Sequence, residues 1–285
     1  MNVKKLIISR KNFIKIIVAG LISVSGITGW FFSEYLKKEP KSEKELVEKK
    51  MENLSKKKYL LPVPKFSSNI MVEEAISWRR SIREYKDEPI SIESLSSILW
   101  ASQGINEFNY SFRTIPSAGA TYPLEVYAII AEKGVLIKES DYLVEGSYKY
   151  DGKMHSIELV KEGDFSEELA KASLNQNWIK EAPINIVVCA LYERTERRYG
   201  DRGQRYVHME DGHVSQNIYL MAAALYLGTV AVGAFYDEQV RNVIKAEIKE
   251  KPLYIMPIGI PKKPYRIEEK EISEYYEMMR EGNNI

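Results

Sequence analysis

Two hydrophobic periods alternate along this chain, and the points where one gives way to the other mark its elements. Val72, Ala75, Ile76 and Arg79 recur at three-to-four spacing, which predicts a helix from about Ile70 to Arg83. Pro89-Ile90-Ser91 restarts the chain, with Ser91 placed as an N-cap and Glu93 in the first turn, where the helix dipole favours an acid. Leu95, Ile98 and Leu99 form the apolar stripe of that second helix. Leu124 to Ala131 and Ile184 to Tyr192 read as strands, and the unbroken apolar run of the second predicts burial on both faces. Val214 to Leu227 is helical and nearly apolar all round, as expected of a core or subunit-interface helix. Thr229 to Phe235 and Tyr254 to Ile260 are two further short strands. Helices intervene between strands throughout, so the class is α/β or α+β around one sheet.

The N-terminal part follows a different pattern. Ile16 to Phe32 carries no charge, ends in Trp30, Phe31 and Phe32, and is preceded by Lys4, Lys5, Arg10, Lys11 and Lys15 without an acid among them. This predicts a transmembrane anchor or export signal over 16–33 behind a basic flank, 1–15, with the folded domain placed on the outer side. Ser9 to Lys15 (SRKNFIK) resembles a twin-arginine export signal with Lys11 in the second arginine position. Residues 34–69 are rich in Lys and Glu and read as a charged tether, which Leu61-Pro62-Val63-Pro64 ends. The folded domain is expected over 70–266, with a tail over 267–285.

Composition narrows the chemistry. Of 285 residues, 45% are hydrophobic and only Cys189 is a cysteine, which excludes a disulfide scaffold and a cysteine-ligated cluster. Net charge is +1, so no overall field draws the chain to nucleic acid. Phosphate-loop, dinucleotide-binding, zinc-protease and serine-hydrolase motifs are all missing. His208 and His213 are five apart, the wrong spacing for two ligands on one helix face, so no metal is expected. Cys189 sits among valines in a predicted strand and reads as an inert core thiol.

Four features remain. Arg79-Arg80-Ser81-Ile82-Arg83 could cap helix carbonyls or grip a phosphate through bidentate guanidinium geometry. Pro116-Ser117-Ala118-Gly119-Ala120-Thr121-Tyr122-Pro123 is a run of small residues that lets a flat ligand approach the backbone, or a plain turn. Gly228 to Phe235 (GTVAVGAF) is bounded by glycines. Pro257-Ile258-Gly259-Ile260-Pro261 is followed by Lys262, Lys263 and Arg266.

Taken in this order with Glu210 to Asn217 (EDGHVSQN), these features resemble the nitroreductase-like FMN flavoproteins, and most closely their SagB-type dehydrogenase branch, over about residues 70 to 266. The resemblance implies a homodimeric α+β fold, with a central mixed sheet flanked by helices and FMN bound at the subunit interface. Carried over by position, Arg79, Arg80, Ser81 and Arg83 would hold the FMN phosphate and ribityl or ring edge. Pro116, Ser117, Ala118 and Gly119 would pack on the ring from the partner subunit, and backbone around Gly233 would face its reactive edge. Lys262, Lys263 or Arg266 would close on the phosphate. Tyr206 and His213 are the candidate proton donors. The Lys-Tyr pair implicated in proton removal by azoline dehydrogenases is matched here by Arg205-Tyr206, and a permanently charged arginine cannot act as a base. The resulting expectation is an FMN-dependent oxidoreductase that takes hydride from NADH, NADPH or another donor and passes it to a nitro, quinone or related small-molecule acceptor. A SagB-type dehydrogenase acting on a peptide or other C–N bond, and a non-catalytic membrane-tethered flavin-binding protein, are the alternatives.

Overall fold

The computed structural model describes residues 58–66 and 68–282. Its main sheet is built from β1 (Lys58–Leu60), β2 (Leu124–Ile130), β3 (Gly146–Asp151), β4 (Ser156–Glu162), β5 (Ile184–Ala190), β6 (Gly228–Thr229) and β7 (Lys251–Gly259). The spatial order is β1-β4-β3-β2-β5-β7-β6. Every strand pairing in this sheet is antiparallel, which corrects the expectation of a mixed sheet. Only four residues separate β3 from β4, and so short a connection permits no crossover to a parallel neighbour. A parallel pair occurs outside this sheet, between Ile90–Ser91 and Val135–Leu136.

Eight helices are described: α1 (Val72–Trp78), α2 (Ile92–Gln103), α3 (Ser166–Ala172), α4 (Asn177–Glu181), α5 (Glu193–Tyr199), α6 (Arg202–Ala224), α7 (Asp237–Ile244) and α8 (Glu269–Gly282). Alternation along β2 and β5 divides the core in two. Val126, Ala128, Ile186 and Val188 pack with Leu95, Ile98 and Leu99 of α2 and with Val207, Val214 and Ile218 of α6. Tyr127, Ile129, Val187 and Cys189 face the other way, onto Leu169, Ile179, Val240 and Ile244 of α3, α4 and α7. Cys189 is wholly buried, and that burial pushes its thiol pKa up, as an inert core thiol requires.

Ser91 caps α2 as its sequence predicts, its Oγ accepting from the Ser94 N–H at 3.1 Å. Other boundaries differ from expectation. The first helix ends at Trp78, because Arg79 turns out of it and the next residues run extended along β6. There the Ile82 N–H donates to the Thr229 carbonyl at 2.9 Å, and Ser81 pairs in parallel with Thr229. The core helix begins at Arg202 rather than Val214. Beyond Thr229 only Val232 bridges to the sheet, so the strand expected to Phe235 is two residues long. Lys58–Leu60, read as the end of the tether, is the edge strand of the sheet, and most of the expected tail is helix α8.

The expectation of a membrane-anchored protein is also corrected. Among the described residues no helix is long and apolar enough to cross a membrane, and the segment expected to do so, 16–33, lies outside the described residues.

Candidate functional site

The extended run after α1, the C-terminal half of α6, β6 and the loop after β7 enclose a cleft of about 310 Å³. Arg79, Arg80, Lys262 and Arg266 line it, and among the described residues none of the four has an ion-pair partner. Lys86, missed in the sequence, lines it as well and sits 3.7 Å from Glu88. The wall is aromatic. The Arg80 guanidinium lies 4.1 Å from the Tyr265 ring centre, and that of Arg266 lies 5.2 Å from Trp78 and 4.8 Å from Tyr226. Such stacking holds the cations in place while leaving their N–H edges free to donate.

Tyr219 of α6 joins two of the predicted motifs, the arginine run and Gly228 to Phe235. Its hydroxyl accepts from the Ala231 N–H at 2.8 Å and meets Ser81 Oγ at 3.2 Å, while its ring lies 5.3 Å beneath Arg79. The close seam between the arginine run and β6 requires glycine at 228, where a Cβ would sit 2.7 Å from Ile82 Cγ2. Ser81, Arg83 and Lys263 are not in the cleft lining. Arg83 lies instead over the Trp178 ring at 5.5 Å.

The small-residue run occupies a different cleft, of about 650 Å³, lined by Pro116, Ser117 and Gly119 with Arg113, Tyr122 and Arg198. Gly119, Ala120 and Tyr122 all have positive φ, at 58°, 53° and 44°. Helix α5 holds this conformation. Arg194 donates to the Tyr122 carbonyl at 2.9 Å, Arg198 donates to the Gly119 carbonyl at 3.0 Å, and the Thr195 and Thr121 hydroxyls meet at 2.8 Å. The sequence reading missed these arginines, although their i, i+4 spacing puts both on one helix face.

Two buried acids of α6 were also missed, and the first of them, Glu210, meets Ser117 of the run. Glu210 and Asp211 are 2% and 5% exposed, and each has a carboxyl oxygen without a hydrogen-bond partner. Burial pushes Glu210 up to about 7, against the Ser117 hydrogen bond and the Arg113 charge that pull it down. Burial alone pushes Asp211 up to about 8. Of the expected proton donors, His213 is exposed, while Tyr206 stacks edge-on against Tyr199 and its hydroxyl accepts from Arg202 Nε at 3.1 Å. Neither lines either cleft, and neither does Gly233, which is exposed.

The sequence profile of the Nitroreductase family matches residues 76–260, which takes in the arginine run, the small-residue run, α6 and β7. The chain belongs to the nitroreductase family. This nitroreductase-family chain is 50% identical over 190 residues to a protein of Methanocaldococcus jannaschii with a provisional nitroreductase name, covering 67% of the chain and 91% of that relative. It is 25% identical over 191 residues to the trifolitoxin operon protein TfxC of Rhizobium leguminosarum bv. trifolii, covering 64% of the chain and 53% of that protein. Its fold is like that of a crystal structure from Ralstonia eutropha JMP134, also provisionally named a nitroreductase. The TM-score is 0.62 and the identity 24%, over 73% of this chain and 90% of that one.

Proposed function

We propose that this nitroreductase-family chain is an FMN-dependent oxidoreductase that takes reducing equivalents from NADH or NADPH and delivers them to a nitro, quinone or related acceptor. The observation carrying this reading is the aromatic-walled cleft in which Arg79, Arg80, Lys262 and Arg266 converge without a carboxylate to balance them. Four cations converging on one cleft make it locally positive, and a phosphate group fits that donor set. FMN, when bound, supplies the hydride chemistry. The four cations would hold its phosphate, with the Tyr219 hydroxyl as a further polar partner. Ser81, Arg83 and Lys263 have the weaker claim, because none of them lines the cleft.

The small-residue run lies in a separate cleft, so the reading also takes the active unit to be a homodimer. In it, Pro116, Ser117, Ala118 and Gly119 of one copy complete the arginine cleft of the other. Tyr206 and His213 enter as proton donors on the same terms, across the subunit boundary, and Gly233 as a backbone donor. For a nitro acceptor the overall step is balanced: nitro compound, NAD(P)H and a proton give the nitroso compound, NAD(P)+ and water.

The match to the trifolitoxin operon protein favours a second reading, a SagB-type dehydrogenase acting on a peptide C–N bond. The permanent charge of Arg205, next to Tyr206, weighs against it.

The test is an absorbance spectrum of the purified chain with identification of the extracted cofactor. A yellow protein that NAD(P)H bleaches and a nitroaromatic or quinone recolours is expected. Protein that takes up no FMN overturns the reading. Protein that holds FMN but neither bleaches nor recolours is a binding protein rather than this enzyme.

A further inference from the structure

Reduction of a nitro compound consumes a proton along with the hydride, and the two expected donors, Tyr206 and His213, line neither cleft. A different acid stands at the small-residue run. Glu210 of α6 is 2% exposed, its Oε1 has no hydrogen-bond partner, and its side chain hydrogen-bonds Ser117. Ser117 in turn lines the cleft that the run forms. One hydroxyl therefore connects a buried carboxyl to the cleft.

The hydrogen bonds already made leave that hydroxyl two arrangements. A serine oxygen carries one proton and can accept two. Ser117 Oγ accepts from the Tyr122 N–H at 2.9 Å, which holds the oxygen in a turn where Gly119, Ala120 and Tyr122 all have positive φ. One acceptor position and one O–H remain. When Glu210 is ionised it can only accept, so the Ser117 O–H points inward to it. When Glu210 is protonated it can donate to the second acceptor position of Ser117, and the Ser117 O–H is released to the cleft. The two states differ in the direction of two O–H bonds and in no backbone contact.

The surroundings permit both states. Arg113 is the charged group that acts on Glu210, and it is held by Gln103 Oε1 at 2.5 Å and by the Tyr122 ring, 4.7 Å from its guanidinium. Asp211, next in sequence, is held up by burial alone, so the two carboxyls titrate separately. Burial outweighs Ser117 and Arg113 and pushes Glu210 up to about 7, where an acid both releases and recovers a proton near neutral pH.

We infer that Glu210 and Ser117 form a proton relay into the cleft, in which Glu210 is the positioning residue that holds the proton and Ser117 the hydroxyl that hands one on. In the step, the Ser117 O–H bond breaks toward an anionic oxygen or nitrogen of a molecule in the cleft. The Glu210 proton moves to Ser117 Oγ, Glu210 is left as the carboxylate, and water returns the proton by the reverse path. That the molecule receiving the proton is an electron acceptor rests on the oxidoreductase reading above; the Glu210–Ser117 pair does not.

The experiment is infrared difference spectroscopy of the purified full-length protein across neutral pH, followed by turnover of a nitroaromatic and of ferricyanide. The unmodified protein should lose a carboxylic-acid C=O band near neutral pH, and Glu210→Gln should lack that band. Asp211→Asn should remove a second such band instead. In Ser117→Ala the midpoint of the Glu210 band should rise by about one pH unit, because the hydrogen bond that favours the carboxylate is gone, and Ser117→Thr should restore it. The nitroaromatic takes up protons and ferricyanide, a one-electron acceptor, takes up none. Glu210→Gln should therefore slow the first at least about tenfold more than the second. An unmodified protein with no carboxylic-acid band titrating near neutral pH overturns the inference without any variant. So does a Glu210 band indifferent to Ser117→Ala, and so does an equal loss with both acceptors, which is what a purely structural role would give. A Glu210 band that moves in Ser117→Ala, in a protein that reduces neither acceptor, keeps the pair and defeats the oxidoreductase reading.

Discussion

At the scale of single residues, the deciding facts are which charges have partners and which do not. Arg79 stands over Tyr219 and lines the arginine cleft without a carboxylate, so on the proposed function its truncation removes one charge-assisted partner of a bound phosphate. Arg79→Ala and Arg266→Ala should each weaken FMN retention by about 1.5–3 kcal/mol, roughly 10- to 150-fold in dissociation constant. Arg83→Ala should do less, since Arg83 is turned onto Trp178. Equilibrium dialysis of FMN against the three variants checks this order, and full occupancy in both Arg79→Ala and Arg266→Ala refutes the placement.

The buried acids make a prediction of opposite kind. Glu210 and Asp211 hold their protons more tightly in the folded chain than in the unfolded one, with pKa values raised to about 7 and about 8. From about pH 4 upward the unfolded chain releases protons that the folded chain keeps, so stability falls as pH rises, until each folded-state pKa is passed. The melting temperature should therefore drop between about pH 5 and about pH 8. Glu210→Gln and Asp211→Asn should each flatten that drop, by an amount on the order of a few kcal/mol. An unmodified protein whose melting temperature climbs over the same interval, with no change in slope in either variant, would show that these carboxyls are solvated.

At the scale of elements, the seam between the arginine run and β6 carries the geometry of the first cleft. Gly228 meets Ile82 too closely to admit a Cβ without displacement, and the obstructing atoms include Ile82 Cβ itself, which cannot swing away. Gly228→Val should therefore cost about 1–3 kcal/mol of stability by overpacking and should loosen FMN binding at the same time. Thermal melts with and without added FMN separate the two effects, and a variant with wild-type melting and affinity would contradict the seam. This seam also shows what the sequence could reveal. Where one periodicity ran unbroken and a local signal closed it, as at Ser91 and over Ile184–Ala190, element and burial were both legible. The arginine run was not, because an extended segment held by one backbone pairing to a distant strand leaves no period of its own. The front half of α6 was hidden for another reason. Val207, Val214 and Ile218 keep the helical spacing, but the buried positions between Val207 and Val214 are Glu210 and Asp211, so the apolar pattern breaks off at Val214. Those acids interrupted the pattern because they are buried without being apolar, and Glu210 meets Ser117 of the small-residue run. The clamp from α5 had a readable signal in Arg194 and Arg198, but only the fold shows that their partners are carbonyls of 116–123.

At the scale of the whole molecule, the two clefts raise a question that one chain does not answer alone. The arginine cleft is walled by the end of α1, α6, β6 and the loop after β7, whereas the small-residue run faces a second cleft beside α5, with no lining residue in common. The proposed function joins them by setting the run of one copy against the arginines of another, and that arrangement has a measurable signature. A cleft variant, Arg79→Ala combined with Arg266→Ala, and a loop variant, Gly119→Trp, should each be inactive alone. The loop variant fails because Gly119 has positive φ and no room beside Tyr199 and Arg198. When the two are mixed, unfolded and refolded together, about half of the dimers should hold one chain of each kind. In a mixed dimer one site combines both defects and the other combines neither, so about a quarter of all sites should recover. Activity returning to about that level, with FMN bound in proportion, supports a site shared between copies. If each site is built within one chain, every chain in the mixture still carries its own defect, and no recovery can occur at any mixing ratio.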